Sequence, residues 1–245
     1  MRPWHLRNPE GFQREMEEVE RAYRNLHFSI TGEQVQISGV LPINDADGIV
    51  DGFSILITLL PDYPESLPIV REVGGRIPHH IDRHVLQSGE ACVLLPEDRW
   101  RSWPKGSSLL SFISGPLRNY FIGQALVERG EPWPFGEWRH GLNGMRDYYR
   151  EVFGTDDLPA VRRYLECLAS KKTKGHWDCP CNSGRRLRDC HTDLIRDLRE
   201  KMPRSEAIKA LSHLQHVLDI RKAARSSAGQ HKVAIGLRPF GSSSP

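Results

Sequence analysis

The chain has 245 residues, 38% of them hydrophobic and 27% charged, the balance of a folded globular protein rather than of a disordered one. Its longest strongly apolar run, Phe53 to Leu60, is broken by Ser54 and Thr58 and falls well short of the roughly 20 residues a spanning helix needs, which excludes a bilayer span. The formal net charge is +3, but residues 1 to 157 hold 16 Lys+Arg against 23 Asp+Glu (−7) and residues 158 to 245 hold 18 against 8 (+10), so an acidic body precedes a basic C-terminal part.

Phe12, Met16, Val19, Ala22 and Tyr23 recur at three- and four-residue spacings with acids between them and Pro9 near the start, which predicts an amphipathic helix over 9–26. Three β-branched, apolar segments follow at 27–31, 34–43 and 51–61, separated by Gly32-Glu33 and by the turn residues 44–48; they predict an antiparallel meander. A fourth strand is predicted over 68–73, after a proline-rich stretch that admits neither helix nor central strand. Gly74 to Gly106 has little periodicity and contains the first cysteine, Cys92; a long irregular segment in a compact domain is usually functional. Helical character returns over 107–126, with Ser107 or Ser108 as N-cap, Leu109, Leu110, Ile113, Leu117, Tyr120 and Phe121 along one side, and a kink or break predicted at Gly115-Pro116. An aromatic loop and a helix over 139–153 come next. The basic part reads as three helices, 158–170, 192–202 and 205–224, and residues 226–245 lack periodicity and are expected to form a flexible tail. The predicted organisation is a body over 1–156, a helical region over 157–225 and the tail.

No apolar stretch follows Arg2 and Arg7, so no secretory signal is expected and the predicted location is cytoplasmic, where five cysteines act as ligands, nucleophiles or core residues rather than as disulfides. In CPCNSGRRLRDCH (179–191), Cys179, Cys181, Cys190 and His191 supply three thiolates and an imidazole, a complete four-coordinate set for zinc. A closed set leaves no position for water, so the predicted cofactor is a structural Zn2+, which can contribute on the order of 10–16 kcal/mol to folding a segment too polar to fold by burial. With Ser183-Gly184 and the basic Arg185, Arg186 and Arg188, the string resembles the SEC-C motif, a zinc-binding module appended to many bacterial proteins. His176 lies outside the pattern and is expected to be a surface histidine; Cys167, beside Leu165 and Leu168, is expected in the core.

Cys92 taken alone reads equally as a small buried hydrophobe. Its surroundings are more specific: Tyr63-Pro64 with Pro68 four residues on, a long loop with His84, Gly89, Cys92, Trp100 and Pro104, and then a helix. In this order the features resemble the ubiquitin-conjugating enzyme family over residues 5–150. Its YP-x-x-x-P is carried by Tyr63, Pro64 and Pro68, its G-x-x-C-L by Gly89-Glu90-Ala91-Cys92-Val93 with Val in place of Leu, and its tryptophan eight residues past the cysteine by Trp100. The resemblance implies an α+β, UBC-like domain: an N-terminal helix, a four-stranded antiparallel meander, an active-site loop and C-terminal helices. It further implies that Cys92 carries a ubiquitin-like modifier as a thioester and yields it to an amine or thiol. The family's His-Pro-Asn falls on Asp82-Arg83-His84, so His84 stands where an asparagine is held to stabilise the oxyanion. A histidine can donate the same hydrogen bond, and loss of such a donor costs about 2.7–4 kcal/mol of barrier; raising the thiolate fraction and guiding the amine are alternative roles for His84. Tyr63, Pro64, Gly89 and Trp100 are expected to be active-site scaffold. Asp98 reads first as a solvated loop acid and second as a guide for an incoming lysine, and His140 first as a structural histidine and second as an active-site residue.

The expectation is therefore a transferase of a bacterial conjugation pathway, with antiphage defence as a setting, whose partners are a ubiquitin-like modifier, an activating (adenylating) enzyme and a protein target. Two alternatives stand beside it. One is a non-catalytic adaptor recruiting partners through the knuckle; the other is a nucleic-acid-associated protein using the basic tail, a secondary reading because no aromatic platform interleaves with the charges.

Overall fold

The computed structural model describes residues 2–45, 48–134 and 142–233. Pro3 opens a single helical turn, α1 (Trp4–Arg7), which the sequence reading passed over; the Trp4 amide donates to the Pro61 carbonyl at 2.9 Å, and its buried indole meets Tyr63 edge-on at 4.6 Å. Asn8 then caps α2 (Pro9–Ala22), its side-chain oxygen accepting from the Gly11 amide while Pro9 takes a first-turn position that needs no donor. Most of the predicted stripe packs: Met16 and Val19 are 1% exposed and Phe12 and Tyr23 lie partly buried against the core, whereas Ala22 is exposed. At Tyr23 the helix ends, so that the chain can turn and deliver the buried Leu26 to the sheet.

Four strands follow in chain order: β1 (Leu26–Thr31), β2 (Gln34–Asp45), β3 (Gly48–Leu59) and β4 (Ile69–Glu72). They form one antiparallel sheet in the order β1-β2-β3-β4, the predicted meander. Pairing sets Ile37 opposite Ile57 and Leu41 opposite Phe53, which puts Val35, Ile37, Leu41 and Ile43 on the same face as Phe53, Ile55, Ile57 and Leu59. All eight are 5% exposed or less. Ser38, Ser54 and Gln36 alternate to the other face, as a half-buried antiparallel sheet requires.

After a short turn of helix, α3 (Arg99–Ser102), the 107–126 segment is broken as Gly115-Pro116 predicts: α4 (Leu109–Phe112), capped by Ser108, leads through a π-helical turn over Ile113–Leu117 that contains Pro116 into α5 (Arg118–Glu128). Leu109, Phe112, Ile113, Leu117, Tyr120 and Phe121 close the core beneath the sheet. Fully burying an aliphatic or aromatic side chain of this kind contributes roughly 1.5–3 kcal/mol before conformational entropy is counted.

The chain divides into two compact units between Tyr148 and Tyr149, within α6 (Leu142–Phe153) and eight residues ahead of the predicted boundary. The aromatic side chains explain the difference: Tyr149 stacks on Phe153 at 5.2 Å and Phe153 on Tyr164 at 4.8 Å, tying the last turn of α6 into the second unit. There, Asp157 caps α7 (Leu158–Ala169) through the Ala160 amide, and α8 (Thr192–Lys201) and α9 (Arg204–Val233) follow. Arg199 of α8 donates to the carbonyls of Cys167, Leu168, Ser170 and Lys171, satisfying the C-terminal end of α7. α9 continues nine residues past its predicted end; the tail from 234 lies outside the described residues. None of the described helices is long and apolar enough to cross a membrane.

Candidate functional site

The loop around Cys92 is ordered by backbone hydrogen bonds rather than by regular structure. A 3-10 turn, Ile81–Arg83, ends at His84 with φ 50°, a left-handed conformation that a non-glycine side chain adopts only where its surroundings hold it. The chain then doubles back: Val85 bridges Ala91, Leu86 accepts Gly89 N–H at 2.8 Å, and Gly89 sits at φ 81° with His79 so close that a Cβ there would lie 2.9 Å from the imidazole. The Ala91 amide donates to Val70 of β4 at 2.8 Å, so the sheet fixes the residue before the cysteine, and the Cys92 amide donates to the His84 carbonyl at 2.8 Å.

Cys92, half-buried, opens on a groove of about 810 Å³. Leu67, Ile69, Ile81, Leu86, Leu94 and Pro116 supply apolar wall, and His84, Asn119, Tyr120 and Trp133 add polar and aromatic atoms to the lining. The expected pair of Cys92 and His84 is thus brought to one cavity. The His84 ring packs on the Trp133 indole, centroids 4.4 Å apart, and its carbonyl is held by the Cys92 amide and the Tyr120 hydroxyl. Burial raises the Cys92 thiol above its ordinary value and the nearby Glu90 carboxylate adds to the rise. Glu90 itself is paired to Arg71 at 2.7 Å. The direction runs against a role for His84 in raising the thiolate fraction, since desolvation and a neighbouring acid both push this thiol up.

The residues expected as scaffold lie in different places. Gly89 makes the turn just before the cysteine. Tyr63 is buried away from the groove, against Trp4 and Trp103, its hydroxyl donating to Glu15 at 2.8 Å; the Pro64 carbonyl accepts from the buried Arg99 guanidinium. Trp100 does not line the groove either: its indole N–H donates to the Tyr148 hydroxyl at 2.8 Å, which donates to the Glu97 carbonyl at 2.9 Å. Asp98, read first as a solvated acid, is 8% exposed and held by the Ser102 hydroxyl and by Arg101 at 2.7 Å, yet it does line the groove. Cys167 is buried, as expected, and His176 is exposed and outside the cysteine cluster; His140 lies outside the described residues.

In the second unit a short hairpin, with Leu187 N–H bonded to Trp177 O at 2.8 Å and Cys179 N–H to Arg185 O at 2.9 Å, carries Cys179 and Cys181 on one arm and its turn, while Cys190 and His191 enter α8 beside them. The four ligand atoms all lie within 4.8 Å of one another, with Cys179 Sγ and Cys190 Sγ 3.2 and 3.1 Å from His191 Nδ1 and Cys181 Sγ 3.6 Å from Cys190 Sγ. These residues could hold a metal ion. Burial works to raise the Cys181 thiol, but the Ser183 hydroxyl and the neighbouring thiols hydrogen-bond to it and together bring it down to about 6. Arg185 donates to Cys190 Sγ at 3.1 Å, and the Tyr164 ring meets His191 edge-on at 5.9 Å. Much of the basic excess nearby is locally paired: Arg186 with Asp178, Arg188 with Asp189, Arg196 with Asp193 and Lys201 with Asp197.

No known protein family, curated protein or solved structure matches the chain. The functional reading therefore rests on the chemistry of the two sites. Sequence reasoning passed over Gln124 and Trp133 at the first of them. Gln124 carried a usable signal, a polar residue on the apolar stripe of Leu117, Tyr120 and Phe121.

Proposed function

We propose that the chain is a conjugating enzyme for a ubiquitin-like modifier, which it carries as a thioester on Cys92. The observation that supports this best is the setting of Cys92: a half-buried thiol at an open, mainly apolar groove, on a loop anchored by β4 and by α5, in a body that runs helix, four-stranded meander, loop, helices. An extended peptide with an apolar end fits such a groove, and its terminal carbonyl then reaches the sulfur.

The exchange balances without a redox partner. The Cys92 thiolate attacks the carbonyl carbon of a thioester held on an activating enzyme; a new C–S bond forms, the old one breaks, and the activating enzyme's thiolate leaves. An amine of the target then attacks the same carbon, Cys92 leaves as thiolate, and the amine's proton passes to water. His84 lines the same groove, and its imidazole is the donor we assign to the oxyanion of either step, the role an asparagine fills in the family this chain resembles. A thiol kept protonated by burial limits attack by stray electrophiles and leaves reaction to an electrophile docked in the groove.

The four-residue cluster of the second unit suits zinc. Three thiolates and one imidazole around Zn2+ stand about 3.6–3.8 Å apart when tetrahedral; the ligand atoms here, 3.1–3.6 Å apart for three pairs and all within 4.8 Å, need only small side-chain shifts to reach that, and Arg185 offsets part of the surplus negative charge of the thiolates. With all four positions filled by protein, the ion's part is to fold the hairpin onto α8.

The test is charging. Incubated with ATP, an adenylating enzyme and a ubiquitin-like modifier that this enzyme activates, the protein forms an adduct that thiols release, and Cys92→Ala forms none. A Cys92→Ala protein that still forms a thiol-sensitive adduct overturns the reading.

A further inference from the structure

Gln124 of α5 is wholly buried, and a buried primary amide needs partners at both ends. It finds them in one residue 41 positions away: its Oε1 accepts from Arg83 Nε at 2.9 Å and its Nε2 donates to the Arg83 carbonyl at 2.6 Å. One turn earlier on the same face, the Tyr120 hydroxyl approaches the Arg83 and His84 carbonyls at 3.4 and 3.3 Å. The His84 carbonyl in turn accepts the Cys92 amide. A leucine at 124 would serve the core as well; the amide adds geometry, fixing both the side chain and the backbone of the residue that precedes the left-handed His84.

We propose that Gln124 is a positioning residue for Cys92, acting through Arg83 and His84 to hold the thiol in its buried pose at the groove. The role rests on the reading of Cys92 as the nucleophile, but it is testable on the thiol alone. Releasing the loop hydrates the sulfur, which removes the main influence that raises it and increases the thiolate present near neutrality.

The probe is iodoacetamide applied to the full-length protein across a pH series, with Cys92 modification followed by peptide mass mapping. Gln124→Met keeps the length and loses both hydrogen bonds; its alkylation midpoint falls toward that of an ordinary thiol, and a fall of about half a pH unit makes labelling about threefold faster near pH 7.5. Gln124→Glu keeps an acceptor for the Arg83 guanidinium and, ionised, loses only the donor to the Arg83 carbonyl, so it labels at a rate between those of the parent and the Met variant. Folded variants that keep the parent's profile and show only a lower unfolding temperature overturn the proposal, because a purely structural residue does that. Should Gln124→Met fail to fold by circular dichroism, Tyr120→Phe, which loses one hydroxyl, decides: a smaller acceleration supports the proposal and none overturns it. Iodoacetamide needs no partner protein, so failure of Cys92 to accept any modifier sinks the conjugating reading without altering this result.

Discussion

At Gly123, helix propensity and packing pull in opposite directions, which makes Gly123→Ala decisive in its sign. Ala is favoured over Gly in a helix interior by about 1 kcal/mol, so an unobstructed Gly123→Ala stabilises. A Cβ built there, however, lies 2.6, 2.7 and 2.9 Å from Cζ3, Cη2 and Cε3 of Trp133, a rigid bicycle with no flexible end to yield. Overpacking of this kind costs about 1–3 kcal/mol. The indole cannot retreat without loosening its contact with the His84 ring, and an aromatic pair is worth about 0.5–1.5 kcal/mol more. Set against the helix gain, the net is a destabilisation of about 2 kcal/mol. Urea denaturation followed by far-ultraviolet circular dichroism measures it, and a double-mutant cycle isolates the cause: in a Trp133→Ala background the same Gly123→Ala change stabilises by about 1 kcal/mol. A Gly123→Ala protein more stable than its parent would show that Trp133 is not seated on α5 and that His84 is held by other means.

Two further outcomes are expected. Purified from zinc-replete medium, the protein carries one equivalent of zinc by plasma mass spectrometry; Cys181→Ser abolishes it and lowers the unfolding temperature of the second unit, since metal-site energy is folding energy there. Full-length protein with no metal and a melt indifferent to chelator contradicts this. Burial raises the Glu15 carboxyl above its ordinary value, so the folded state holds that proton more tightly than the unfolded state and the stabilisation is complete at acid pH and lost as pH rises through the folded value. Glu15→Gln keeps an acceptor for the Tyr63 hydroxyl and Leu109 amide and removes the loss, so its advantage in urea midpoint is near zero at pH 4 and appears at pH 7; equal shifts at both rule the account out.

What could be read in advance is what short-range pattern encodes. The meander follows from alternation in β2 and β3, where Val35, Ile37, Leu41 and Ile43 reach the core, and the Cys/His cluster follows from spacing alone because its ligands are brought together within 13 residues. α1 and α3 left no such trace, since four residues are too few for a helical period. α9 outruns its apolar stripe, whose last member, Ile220, is already 56% exposed, because a stripe of apolar residues marks the part of a helix that packs and not where the helix ends. The setting of Cys92 was half legible. Its loop and its companion His84 lie close in sequence, whereas the Gln124–Arg83 and Trp133–Gly123 contacts depend on where α5 falls over the loop, which only the tertiary structure fixes. Where Trp100 and Tyr63 sit was not legible in their spacing either: each ring is fixed by a partner distant in sequence, Trp100 by the Tyr148 hydroxyl and Tyr63 by the Glu15 carboxylate.

The wide turn at Ile113–Leu117 sets the rotational phase of all that follows it. In a regular helix each residue advances the face by about 100°, so a single residue more or fewer between α4 and α5 would swing Tyr120, Gly123 and Gln124 about a quarter of the way round the axis. Phe112 could stay in the core beneath the sheet while the loop lost its anchor. Pro116, which cannot complete the regular hydrogen-bond ladder, keeps the odd count in place. The register of one helix thus acts as the vernier by which the body of the fold is aligned to its cysteine.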